Sequence, residues 1–97
     1  MPKGYAVVAY RRITNQEKWQ AYAKIASVIV PKLGGRFIIR GMPAAVHEKG
    51  LKERVVVVEF ESLQKALSCY SSPEYKEALK ALGDGAERDF RFVEGVA

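Results

Sequence analysis

Two short stretches of this chain are apolar on both sides of a strand, and two others alternate. Arg54-Val55-Val56-Val57-Val58-Glu59-Phe60 places valine at successive positions, so both of its faces must be covered, because successive side chains of a strand point to opposite faces. Gly4 to Arg12 reads the same way, with Tyr5, Val7 and Ala9 on one face and Ala6, Val8 and Tyr10 on the other. Arg36 to Arg40 alternates instead: Arg36, Ile38 and Arg40 share one face, Phe37 and Ile39 the other. Asp89-Phe90-Arg91-Phe92-Val93 alternates as well. These last two runs have the pattern of edge strands.

Helical periodicity fills the gaps between them. Thr14 and Glu17 have capping-box spacing. Behind them Trp19, Tyr22, Ala23, Ala26, Ile29, Val30 and Leu33 recur at three- and four-residue steps up to Gly34-Gly35. Pro31 falls in the last turn of that helix, where an irregularity is expected. Ser62 caps a second helix through Leu63, Ala66, Leu67 and Tyr70, and Ser72-Pro73 starts a third that ends at Gly83-Asp84-Gly85. Between the second and third strands, Gly41-Met42-Pro43 interrupts the ladder, Ala44 to His47 is expected to resume it, and Glu48-Lys49-Gly50-Leu51 makes the turn.

The order is strand, helix, strand, strand, helix pair, strand. This is a ferredoxin-like βαββαβ arrangement with a split second helix, an α+β domain over residues 1–97 with an antiparallel sheet and helices on one face. In that topology the first and third strands are central, and they are the two that are apolar on both faces. A chain of 97 residues has helices enough for one sheet face only. A homodimer formed by sheet-to-sheet packing is expected to cover the other.

Charge changes the picture little. The net charge is +5, and the basic residues concentrate in the first half. That asymmetry is compatible with a nucleic-acid surface, with complementary halves in a dimer, or with ordinary scatter. RNA-recognition modules of this topology carry base-stacking aromatics on the central strands. Here valines stand in those places, so nucleic acid is not the expected partner. One cysteine, Cys69, and one histidine, His47, leave no Cys/His cluster, so no metal and no cofactor are expected. Met1-Pro2-Lys3-Gly4 lacks the apolar run of a secretory signal, and no membrane-length stretch follows. The expected setting is cytoplasmic, without a membrane partner.

Lys3-Gly4-Tyr5, Gly34-Gly35-Arg36-Phe37, Arg40-Gly41, the valine strand ending Glu59-Phe60, and Tyr70-Ser71-Ser72-Pro73-Glu74-Tyr75 together resemble the family known as domain of unknown function 1330 (DUF1330). The resemblance spans nearly the whole chain. It implies a dimeric α+β barrel, a fold whose relatives include small monooxygenases, muconolactone isomerases and dehalogenase-like proteins, but no established reaction. Many members carry histidine where this chain has Ser71.

A small-molecule site is expected between sheet and helices. The ligand-binding candidates are Arg40 for an anion, Tyr5, Tyr22 and Tyr70, with Tyr75 beside them, as hydrogen-bonding phenols, Ser72 with Glu74 as a polar edge, and Glu59. If the hairpin turns at Glu48 to Leu51 without slippage, Arg40 falls near Glu59 in a cross-strand ion pair, while a bulge at Met42-Pro43 would move that register; the alternative is that Arg40 clamps a substrate carboxylate. Helix capping alone accounts for Ser72, Pro73 and Glu74. No catalytic residue can be assigned. The expected function is the binding or transformation of a small acidic or aromatic metabolite; the alternative is a non-catalytic dimeric binding or stress-associated module.

Overall fold

A computed structural model describes residues 2–97 of the chain; Met1, the first residue of the expected domain, lies outside the described residues. The elements run β1 (Gly4–Ile13), α1 (Gln16–Lys32), β2 (Arg36–Gly41), β3 (Val55–Phe60), α2 (Leu63–Tyr70), α3 (Pro73–Leu82) and β4 (Ala86–Glu94). The sheet is antiparallel with order β2-β3-β1-β4, so the two strands that are apolar on both faces are the central pair. This is the ferredoxin-like fold, its second helix split at Ser71-Ser72.

Alternation decides what each face carries. On β1, Ala6, Val8 and Tyr10 are buried against the helices together with Val58 and Phe60 of β3. Tyr5, Val7 and Ala9 pair with Glu59, Val57 and Val55 on the opposite face, which no helix among the described residues covers.

The helix ends show why these segments stop where they do. The α1 N-cap is Asn15, not Thr14: its side chain accepts from the Lys18 amide at 3.0 Å, while the Thr14 hydroxyl turns away and donates to the Asp84 carbonyl at 2.7 Å. Asn is as good a cap as Thr, and the one-residue shift leaves Thr14 to tie α1 to the α3–β4 turn. At the other end Gly35 N–H bonds to Val30 O and Gly34 N–H to Pro31 O, with Gly34 at φ +96°, which together make a Schellman stop. Helix α1 therefore continues through Pro31 to Lys32.

Two expectations in the second hairpin are corrected. Ala44 to His47 forms no strand; the segment from Met42 to Arg54 is irregular apart from a turn in which Gly50 N–H bonds to His47 O. The bulge lies inside β2, between Phe37 and Ile39, rather than at Met42-Pro43. Its extra residue breaks the expected alternation. Arg40 sits opposite Val56, whose side chain faces the helices, and Arg36 sits opposite Glu59. The Arg40 to Glu59 pair is thus excluded by register.

Candidate functional site

Small residues facing one another across the sheet–helix layer leave a gap. Ala6 on β1, Ala26 on α1 and Ala66 on α2 are all buried there, and aromatic rings wall the space they leave. The result is a cavity of about 80 Å³, several times the roughly 10–15 Å³ that one water molecule occupies on the same measure. It reaches the surface at Arg40 and Tyr70, both exposed. Tyr70 stacks edge-on against Phe90 and Phe92 of β4, with ring centroids 5.1 and 5.5 Å away.

Arg88 is the centre of the site. It lies on β4 opposite Tyr10, in phase with Phe90 and Phe92, so its side chain enters the layer between sheet and helices. Its guanidinium donates to the Tyr22 hydroxyl at 2.9 Å and lies 4.8 Å from the Tyr22 ring centroid and 5.0 Å from that of Phe90. These are cation–π distances. Among the described residues no carboxylate comes within salt-bridge distance of Arg88. Burial works against its charge, but the surrounding oxygens of Tyr22, Tyr75 and Tyr10 outweigh that and hold its proton more tightly than in water.

The phenols form a chain whose hydrogens can be counted. The Tyr22 and Tyr75 oxygens are 2.5 Å apart, and Tyr22 also accepts from Arg88. One phenolic hydrogen lies between the two oxygens, so the other remains to donate elsewhere. Burial pushes both phenols above their ordinary range, for Tyr22 against the opposing pull of Arg88 and for Tyr75 with the added repulsion of Tyr22. Near neutral pH both are therefore un-ionised donors. The Arg88 guanidinium carries five N–H groups, and among the described residues its side-chain hydrogen-bond partners are phenols alone. The cavity has surplus donors and no acidic side chain in its wall.

The expected site residues separate into groups. Tyr22, Tyr70 and Arg40 line the cavity, Arg40 with its guanidinium 4.4 Å from the Phe37 ring centroid. Tyr5 and Glu59 lie on the helix-free face instead, where the Tyr5 hydroxyl donates to Glu59 at 3.1 Å and Arg36 approaches the same carboxylate at 3.7 Å. Ser72 is a helix cap: its hydroxyl oxygen accepts from the Tyr75 amide, and its O–H donates to the Cys69 carbonyl. Glu74 is exposed in the first turn of α3 and is not part of the cavity wall. Cys69 is buried in the wall, and burial pushes its thiol up.

Arg88, Arg54 and Tyr75 complete the site. Arg88 is missed when the last strand is read as starting at Asp89; begun at Ala86, where β4 starts, the alternation puts Arg88 on the face of Phe90 and Phe92.

The profile of the family "Domain of unknown function (DUF1330)" matches residues 3–96. No curated protein matches the chain in sequence. Among solved structures, a protein of unknown function from Rhodopseudomonas palustris is 16% identical at a TM-score of 0.72, over 99% of this chain and 84% of that one. A dimeric ferredoxin-like protein of unknown function from Jannaschia is 12% identical at a TM-score of 0.71, over 95% of this chain and 98% of its own. A protein from Nitrosomonas europaea, provisionally assigned as an antibiotic biosynthesis monooxygenase, is 12% identical at a TM-score of 0.61, over 98% of this chain and 90% of that chain.

Proposed function

The chain belongs to the DUF1330 family, and from that premise we propose that it binds a small carboxylate with a flat apolar body in the cavity between sheet and helices. The observation that carries this reading is Arg88, a half-buried cation with no acidic partner, aimed into an aromatic cavity beside an unused phenolic hydrogen. Among the described residues only neutral phenols and rings surround that charge, and an anion arriving in the cavity would pair with it more strongly than they do. Aromatic walls at stacking distance favour a planar body for that anion. At 12% identity the monooxygenase assignment of one neighbour carries the fold alone, so no reaction is transferred from it.

Trp19 supplies the measurement. It is the only tryptophan, it lines the cavity, and its indole N–H donates to Tyr10 at 3.1 Å. Titrating tryptophan fluorescence with benzoate is expected to give a saturable change that neutral benzamide does not reproduce. Arg88→Met is expected to lose it while circular dichroism shows the fold retained. Equal affinity for benzamide and benzoate, or no response to any aromatic acid, would overturn the reading.

We further propose that the helix-free sheet face is the interface of a homodimer. Solved neighbours from Jannaschia, Bacteroides fragilis and Thermobifida fusca are described as dimeric. Here Val7, Val55, Val57 and Ala9 make an aliphatic centre flanked by the Arg36–Glu59 and Arg91–Asp89 pairs, the apolar-centre and polar-rim layout of protein interfaces.

A further inference from the structure

We infer that the ligand of this cavity carries two acidic groups, one held by Arg88 and the second by Arg54, on opposite sides of Tyr10. The inference rests on the proposed carboxylate site and adds the class of its occupant. Of the seven arginines, Arg12, Arg36 and Arg91 each pair with a carboxylate on the outside of the molecule, and Arg11 stands exposed with no salt bridge among the described residues. Arg40, Arg54 and Arg88 all line the cavity, and among the described residues none of them forms a salt bridge. Three guanidiniums without a carboxylate partner therefore gather around one cavity, whose wall holds no acid among the described residues.

Register gives the spacing. Arg88 pairs with Tyr10 across β4 and β1, and the Tyr10 amide bonds to the Arg54 carbonyl at 2.9 Å on the β3 side. The two arginines therefore flank β1 at one end of the sheet. Their backbones are two inter-strand spacings apart, roughly 9.5 Å. Both guanidiniums rest near rings that hold them in place, Arg54 at 5.2 Å from the Trp19 centroid and Arg88 at 5.7 Å from that of Tyr10. A rigid diacid about as long as a para-substituted ring matches that backbone spacing, with one carboxylate toward each arginine. Arg40 is exposed and one strand further out, so it adds attraction at the mouth more than a defined contact.

Terephthalate and its monomethyl ester have nearly the same shape and differ by one charge, which makes them the test pair, with benzoate beside them in calorimetric titrations of the full chain. Terephthalate is expected to bind at least about tenfold more tightly than the ester, the worth of one hydrogen bond between charged groups. Arg54→Met, which keeps a stem over Trp19, is expected to reduce that ratio to about one, whereas Arg40→Met leaves the ratio in place. If benzoate binds and the diacid binds no better than the ester, the second subsite is refuted and the carboxylate site stands. The same holds if Arg40→Met rather than Arg54→Met abolishes the preference. Binding of none of the three acids would overturn the site and this inference together.

Discussion

A guanidinium on the covered side of a sheet needs partners, and those of Arg88 are neutral phenols and rings rather than carboxylates. The phenols in turn respond to alkali. Tyr22 and Tyr75 titrate above the ordinary tyrosine range because burial opposes the phenolate. At a pH between the unfolded and folded values the unfolded chain has lost protons that the native chain keeps, so stability falls as pH rises. The stabilisation is whole below about pH 10, the ordinary tyrosine value, and is lost progressively above it. Melting temperature followed from pH 8 upward is expected to decline more shallowly in Tyr75→Phe than in wild type; parallel declines would show that the pair does not control the alkaline limb. Benzoate affinity, by contrast, is expected to be flat between about pH 6 and about pH 9, because neither Arg88 nor the phenols change charge there. Ser72 gives the opposite kind of prediction. As the α3 cap it should cost about 1 kcal/mol when changed to Ala, read by denaturant titration, with benzoate affinity unaltered. Capping spacing made Ser72 legible in the sequence. Arg88 was hidden by a three-residue error in the start of β4, since a charged residue ahead of an alternating run looks like loop until the strand is known to extend past it.

Most elements followed from periodicity, whereas register and the start of β4 did not. Both central strands, the split helix and the glycine stop of α1 are local patterns, each written in a window shorter than the element's own neighbours. The β2–β3 pairing depends on where one residue is absorbed over a long loop, and the bulge between Phe37 and Ile39 rotates Arg40 to the helix side. No periodicity in Arg36 to Arg40 announces it. A second element-scale feature is equally silent in the sequence. Gly4 is buried where β1 passes under the start of α2, and a Cβ there would meet Leu63 Cα at 2.4 Å and Ser62 O at 2.5 Å. Backbone cannot move aside as a side-chain tip can, so Gly4→Ala must push α2 off the sheet. A loss of about 1–3 kcal/mol is expected, whereas Gly41→Ala, where nothing lies within 4 Å of the new carbon, should lose nothing. Equal denaturation midpoints for the two variants would refute the close approach.

At the scale of the whole molecule, the uneven charge of the two halves is partly spent inside the chain. Arg12–Glu87, Lys18–Asp84 and Arg36–Glu59 each join a basic residue of the first half to an acid of the second. That leaves assembly to the apolar part of the open face. Val57 stands at its middle, between Val7 on β1 and Ile39 on β2. Were two such faces packed together, a lysine in place of Val57 would carry its charge to the least hydrated point of the interface, where an unpaired ion costs several kcal/mol. A lysine in place of Val28, which is 64% exposed on α1, would stay in water. Light scattering at micromolar concentration is therefore expected to return a dimer for wild type and Val28→Lys, and a monomer that keeps its circular dichroism for Val57→Lys. A dimer that survives Val57→Lys would move the interface to another surface. A monomeric wild type would leave both valine-rich strands with one face in water, and the apolar character of that face would then need a different partner.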